Sequence, residues 1–426
     1  MAVFRIKGGT PLCGETTVQG SKNSVLPMMA ASLLTRGEIV LQNCPALTDV
    51  TASCAILRSL GAQAAQEQDT VVIRADALHA SSIPSVLMRT MRSSVLFLAP
   101  LLARQGMAEI TLPGGCELGP RPIDLHLEAL RALGAQVTAE GERVICRGTL
   151  RGGVIRLRYP SVGATENALM AAVSAEGVTT IHGAAQEPEI VDLARFLRAM
   201  GAQVAGEGTE TIAVTGGAVL HDAAYSVMPD RIVAATWLCA AASAGGEIVL
   251  HDAQAAQLAP VLEVLRRAGA EIETEPSLIR LRAEQLTAPG TIVTAPYPGF
   301  PTDAQAPMMA ALLRAEGQTE LRETVFAARF SHVPELRKLG AQISISSQTA
   351  IVTGTAVLHG AVLQAHDLRG GAAAVVGALG AEGESWVLGS EHLDRGYADL
   401  AGDLTALGAQ VQRLENSTQI QSMGEP

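Results

Sequence analysis

Cys116 stands directly behind Gly114 and Gly115, and Arg121 follows five residues later. Glycine backbones reach conformations closed to other residues, so a thiol behind two of them is presented rather than packed. A neighbouring guanidinium lowers a thiol's pKa, which suits the pair to nucleophilic attack or proton donation. The plainer alternative is a small apolar loop residue. Arg121-Pro122-Ile123-Asp124-Leu125 leads into an amphipathic helix. Its start offers N–H groups to an anion beside the arginine fork, or else Asp124 merely favours the helix dipole. The other five cysteines, Cys13, Cys44, Cys54, Cys146 and Cys239, read as packed residues.

Lys22 and Asn23 fall in the first turn of a helix that Ser21 can cap. A lysine there opposes the macrodipole, which a bound anion would offset and solvation would also permit. Arg89 and Arg92 are spaced i,i+3 in an apolar helical stretch, so they share a face, where they either flank an anion or snorkel to the surface. Asp303 follows a proline-rich turn at the start of a helix. Thr302 or Asp303 can cap that helix, and a carboxylate held there can also act as a general base. Arg329, Asp367, Arg369 and Arg395 lie near the starts of further helix-like segments, and several cations meeting in one place would neutralise a polyanionic small molecule.

The elements that carry these residues repeat. Leu-Arg-Ser-Leu-Gly-Ala-Gln and five close variants end at Gly61, Gly134, Gly201, Gly269, Gly340 and Gly408, spaced by 73, 67, 68, 71 and 68 residues. A second phrase, of the type Leu-Leu-Thr-Arg-Gly-Glu-Ile-Val-Leu, recurs in phase with it. Each phrase is a helix that ends at glycine and passes into a β-rich run. Short strands such as Thr-Thr-Val-Gln (16–19) precede the first helix of most repeats. The unit reads β-α-β-α-β-β, six times over. One unit cannot bury its own apolar faces, whereas three closed together can, so six predict two similar domains. The expected division is 22–229 against 1–21 plus 230–426. The N-terminal segment then completes the last domain's sheet, and two crossing strands make a hinge.

Composition limits the alternatives. With 48% hydrophobic but only 3% aromatic residues and 42 glycines, the chain suits tightly turned α/β structure. Its net charge of −11 without a basic block argues against a nucleic-acid surface. The cysteines lack metal-ligand or disulfide spacing, which points to a reducing cytoplasm and no metal. The N-terminus lacks an apolar signal core, and no apolar stretch approaches membrane-spanning length.

Taken together, Ser-Lys-Asn-Ser-Val-Leu-Pro, the Gly-Gly-Cys loop with Arg-Pro-Ile-Asp, Tyr-Pro-Ser-Val-Gly-Ala-Thr-Glu-Asn, Phe-Pro-Thr-Asp-Ala-Gln, Val-Phe-Ala-Ala-Arg-Phe, His-Asp-Leu-Arg-Gly-Gly and His-Leu-Asp-Arg-Gly-Tyr resemble the UDP-N-acetylglucosamine 1-carboxyvinyltransferases, from about residue 4 to 412. The resemblance implies an EPSP synthase-like α/β fold of two inside-out α/β barrel domains, each of three β-α-β-α-β-β repeats, joined by a double-stranded hinge. It implies enolpyruvyl transfer from phosphoenolpyruvate to the 3′-hydroxyl of UDP-N-acetylglucosamine, at the entry to peptidoglycan synthesis, without a cofactor. By motif, Lys22, Asn23, Arg121 and Arg395 would hold phosphoenolpyruvate. Arg92, Arg121, Pro122, Ile123, Asp124, Leu125, Ser161, Val162, Gly163, Asp303 and Val325 would hold the sugar nucleotide. Cys116 would donate a proton and be the target of fosfomycin, Asp303 would be the base, Lys22 and Arg395 would assist, and Arg329, Asp367 and Arg369 would support. The chain departs from the family pattern at Tyr159-Pro160, Ala304, Pro307 and Ala327-Ala328. Two rivals remain: a 3-phosphoshikimate 1-carboxyvinyltransferase, and a non-catalytic sensor of UDP-sugars.

Overall fold

The structure is a computed structural model that describes residues 2–112 and 123–415. One repeat shows how the sequence builds its unit. Val154–Arg156, the helix Val162–Ser174, Gly177–His182, the helix Pro188–Ala199, Gln203–Ala205 and Thr211–Gly216 follow in order. The first two strands pair in parallel, which a helical crossover permits, and the last two add antiparallel. Alternation sends Ile155, Ile181, Val204, Ile212 and Val214 to the buried face of the sheet. Five such four-stranded sheets and one of three strands make up the described chain. In the three-stranded sheet a lone bridge from Ser82 to Glu109 stands where the edge strand would be.

The recurring glycines end helices as their spacing predicts. All six have φ between 87° and 105°. At the first, the Gly61 N–H donates to Arg58 O and the Ala62 N–H to Leu57 O, closing the helix end. A β-carbon is strained in that conformation, hence glycine each time.

The first helix of each repeat is apolar almost all round, and this sets the layers. We number these helices α1 (Lys22–Ala31), α2 (Leu98–Gln105), α3 (Val162–Ser174), α4 (Arg231–Ala244), α5 (Thr302–Ala311) and α6 (Leu368–Gly380). Every residue of α4 is buried, and so is every residue of α6 after Leu368. A helix without a polar face must lie inside. Helices α4, α5 and α6 pack on one another while their sheets keep one face in solvent, so helices form the centre and sheets the wall. Small residues allow the close approach: a β-carbon at Gly380 would lie 2.4 Å from Ser243 Oγ of α4.

The N-terminal segment serves two sheets. Val3–Gly8 lies between Gly383–Leu388 and Gln410–Leu414 in the sheet of the last repeat, as expected. Leu12–Thr17, however, pairs with Gly246–His251 of the fourth repeat. The sequence reading placed residues 16–19 before the first helix and the N-terminal segment as a whole in the last domain's sheet; the sheet of the first repeat takes Ala223–Ser226 as its edge. Residues 2–19 with 229–415 form one compact unit, and 20–112 with 123–228 form the other.

Candidate active site

In the unit that carries residues 229–415, Asp303 is the centre of a charged cluster. It is not the helix cap. Pro301 occupies the cap position of α5, without a side-chain bond, and Asp303 lies one residue inside the helix. Its Oδ1 accepts from Arg329 at 3.0 Å and its Oδ2 from Arg369 at 2.9 Å. The two guanidiniums are only 2% and 8% exposed against 31% for the carboxylate. Arg329 also donates twice to Thr302 O, at 3.1 and 2.8 Å, and so fixes the start of α5. Asp367 is the cap of α6 and accepts from the N–H groups of Arg369 and Gly370 at 3.0 Å.

Burial works against the charge of Arg369, but Asp303, Tyr397 and Asp230 outweigh it and raise its pKa. Asp230 in turn caps α4. Acidic residues thus stand at the starts of all three central helices, where the helix dipoles favour anions, and Arg369 answers those of α4 and α5. Tyr397, which sequence reasoning did not single out, is buried with its hydroxyl 2.9 Å from Thr236 Oγ1. Arg395 occupies the turn before Tyr397, and Gln19 holds that turn through Gly396 O and Ala398 N. His332 was also missed. Its Nδ1 lies 3.1 Å from Arg329 O. Burial lowers its pKa to about 4. The ring is therefore neutral near pH 7, and the bond to a carbonyl puts its proton on Nδ1.

Glu323 is a third such residue, 2% exposed. Its Oε1 accepts from the N–H groups of Val325 (2.8 Å) and Phe326 (3.0 Å). Its Oε2 accepts from Thr302 Oγ1 at 3.0 Å. It therefore links the turn that carries Val325 to the helix start that carries Asp303.

In the other unit, Lys22 opens α1, with Ser21 as cap accepting from Ser24 N–H at 3.3 Å. The lysine at this unfavourable end faces Asp49 at 2.7 Å, a carboxylate the sequence reading did not pair with it. Asn23 follows, half-buried. Arg89 and Arg92 do not share a helix face. The helix Ser85–Met88 ends before Arg89, Met91 is extended, and Arg92 opens a separate 3-10 helix, Arg92–Phe97. Arg89 pairs with Glu142 at 3.2 Å in solvent.

Ser161 caps α3, so Val162 and Gly163 form its first turn. A β-carbon at Gly163 would sit 3.0 Å from His126 Cε1, so glycine lets the buried imidazole approach. Burial, then Arg92, lowers the pKa of His126 to about 4. Its Nδ1 lies 2.7 Å from Asn167 Nδ2, and Asn167 Oδ1 accepts from Ala99 N–H. The amide nitrogen is the donor, which places the proton of His126 on Nε2. Glu166 of α3 is pushed up to about 8 by burial, then by Glu189 and Glu187. Ile123 is buried, and Asp124 opens the helix Asp124–Ala132 together with Leu125. Asp124 pairs with Arg158, next to the divergent Tyr159-Pro160.

Cys116, Arg121 and Pro122 lie outside the described residues. Burial raises the pKa of Cys44 to about 12 and of Cys146 to about 11, and raises those of Cys54 and Cys239 too. Cys13 is exposed, against the expectation that it is packed, because it projects from the solvent face of its strand. No helix among the described residues is long and apolar enough to cross a membrane.

The comparisons agree with this architecture. The family model for EPSP synthase (3-phosphoshikimate 1-carboxyvinyltransferase) matches residues 6–404. UDP-N-acetylglucosamine 1-carboxyvinyltransferase 2 of Caldanaerobacter subterraneus subsp. tengcongensis is 44% identical over 416 residues, covering 97% of this chain and all of that one. The UDP-N-acetylglucosamine 1-carboxyvinyltransferase of Zymomonas mobilis is 46% identical over 421 residues, covering 96% and 99%. Among solved structures, the enolpyruvyl transferase NikO from Streptomyces tendae superimposes with a TM-score of 0.87 at 26% identity, over 97% of this chain and 98% of its own. An EPSP synthase from Acinetobacter baumannii, at 21% identity and a TM-score of 0.72 over 97% and 100%, shares the fold. Fold and sequence thus agree over nearly the whole length, and the chain belongs to the EPSP synthase family, in the group of the UDP-N-acetylglucosamine 1-carboxyvinyltransferases.

Proposed function

We propose that this chain transfers the enolpyruvyl group of phosphoenolpyruvate to the 3′-hydroxyl of UDP-N-acetylglucosamine, releasing phosphate. The observation that carries this reading is the end-to-end identity of 44–46% with relatives of that name. Asp303, paired with two buried guanidiniums, supplies chemistry that fits it. In the proposed sequence Cys116 gives its thiol proton to C3 of phosphoenolpyruvate, which leaves C2 cation-like. The sugar oxygen bonds to C2 as Asp303 takes the hydroxyl proton, forming a tetrahedral phospho-ketal. Loss of a proton from C3 and cleavage of the C2–O bond to phosphate regenerate the double bond.

Lys22, Asn23, Arg121 and Arg395 are proposed to hold phosphoenolpyruvate. Arg92, residues 121–125, Ser161, Val162, Gly163 and Val325 are proposed to hold the sugar nucleotide. Fixed cations of this kind favour both anionic substrates and the departing phosphate because they need no reorganisation during the step. The domain division expected from the repeats, 22–229 against 1–21 with 230–426, belongs to the same proposal. So do a cytoplasmic location, a part in cell-wall growth and hence cell shape and division, and alkylation of Cys116 by fosfomycin.

The rival acceptor is 3-phosphoshikimate. Phosphate release from phosphoenolpyruvate, measured with each acceptor in turn, separates the two. Turnover with UDP-N-acetylglucosamine and none with 3-phosphoshikimate is expected. The reverse preference would move the chain to the rival activity, and release with neither would favour a sensor.

A further inference from the structure

Glu323 directly follows the strand Gln318–Arg322 and is locked on both sides. Its own N–H donates to Gln348 O at 2.8 Å, and the next residue, Thr324, donates through its N–H to Thr294 Oγ1 at 2.9 Å. From this anchored position the side chain reaches two loops that are separate in sequence. It gathers the N–H groups of Val325 and Phe326 on one oxygen and the hydroxyl of Thr302 on the other. A carboxylate at 2% exposure is costly unless each oxygen is bonded, and here three neutral donors do so. The bonds to Val325 and Phe326 are local to the turn, but Thr302 lies 21 residues back, so the link between the two segments does not show in the sequence.

We propose that Glu323 is a positioning residue for the acceptor: it sets the register of the Val325 turn against the start of α5, so that one buried side chain aligns the sugar contact with the base. This rests on the functional reading above. Thr302 passes the constraint on, because its hydroxyl binds Glu323 while its carbonyl holds Arg329, the partner of Asp303. Glutamine at this position can keep the same links. Its carbonyl accepts both N–H groups, and its amide donates to the Thr302 oxygen. Alanine keeps none.

The test compares Glu323→Ala, Glu323→Gln and Thr302→Val by kcat, by KM for each substrate, and by amide hydrogen exchange of the 324–326 segment. In Glu323→Ala, kcat/KM for UDP-N-acetylglucosamine should fall roughly 10²-fold, the scale of an ångström of misplacement, with KM for phosphoenolpyruvate unchanged. Exchange at Val325 and Phe326 should quicken. Glu323→Gln should restore both readouts, and Thr302→Val should lower kcat while leaving exchange slow. Wild-type constants in Glu323→Ala would overturn the proposal, as would a glutamine variant as damaged as alanine, which would mean that charge matters rather than position. If the alanine variant does not fold, wild-type kcat in Thr302→Val overturns it. If the wild-type protein is inert with this substrate pair, the functional reading falls instead, and exchange alone decides whether Glu323 positions the turn.

Discussion

Asp303 shows what a single residue owes to partners distant in sequence. Arg329 and Arg369 lie 26 and 66 residues away along the chain, so local spacing could announce a carboxylate at a helix start but not its two guanidiniums. Helix-start rules suggested a cap, and the structure gives an ion triad. This changes the expected effect of substitution. Asp303→Asn removes the anion shared by Arg329 and Arg369, with Asp230 still supporting Arg369 and the carboxylate itself 31% exposed, so stability should fall, by less than the roughly 3–5 kcal/mol of a fully buried pair. Turnover should fall by roughly 10²-fold, as for a lost general base. Denaturant melts alongside kcat and sugar KM read both effects. Near-normal turnover with a raised sugar KM would make Asp303 a binding residue only. Tyr397 and Glu323 escaped the sequence reading for a similar reason: Thr236 and Thr302, to which they bond, lie 161 and 21 residues away along the chain.

At the scale of elements, helix ends were more legible than helix continuity. The glycines mark their ends correctly because a positive φ leaves a residue-type signature. The break between Arg89 and Arg92 leaves none, since Thr90 and Met91 are unremarkable residues. Helix α3 carries a consequence of being buried all round. Its Glu166, with an ordinary value of 4.5 raised to about 8, keeps a proton in the folded state that the unfolded chain has already lost. Between these pH values the folded state binds more protons, so this group's contribution to stability decreases as pH rises through the window. His126 and His332, lowered from 6.5 to about 4, act oppositely and cost stability as pH falls from 6.5 towards 4. Glu166→Gln removes only the first effect. The stability of the variant relative to wild type should therefore rise from pH 5 to pH 8, by at most about 1.4 kcal/mol per pH unit. Urea unfolding of both proteins across that range tests this, and a constant difference would mean that Glu166 is ionised in the fold.

For the whole molecule, six repeats and a shared helix-end phrase were enough to read the repeating unit and predict two similar domains, because a unit that cannot bury its own faces must stack, whereas the inside-out layering came from the family resemblance. Strand pairing was only partly legible. The N-terminal segment was expected in the last domain's sheet without a repeat being named; Val3–Gly8 pairs in the last repeat, Leu12–Thr17 in the fourth, and Ala223–Ser226 edges the first. A period of two tells which face a strand buries and not which neighbour it takes. The residues of the proposed reaction likewise belong to two units of the chain, and their roles are best judged from the product. Reaction of phosphoenolpyruvate with UDP-N-acetylglucosamine in deuterated water, followed by NMR and mass spectrometry of the sugar nucleotide, tests the account most directly. Proton donation to C3 and later loss of a hydrogen from the same carbon predict an enolpyruvyl-UDP-N-acetylglucosamine that carries deuterium in its vinyl group. Failure to form that product, or a product whose vinyl group is free of deuterium, would contradict it.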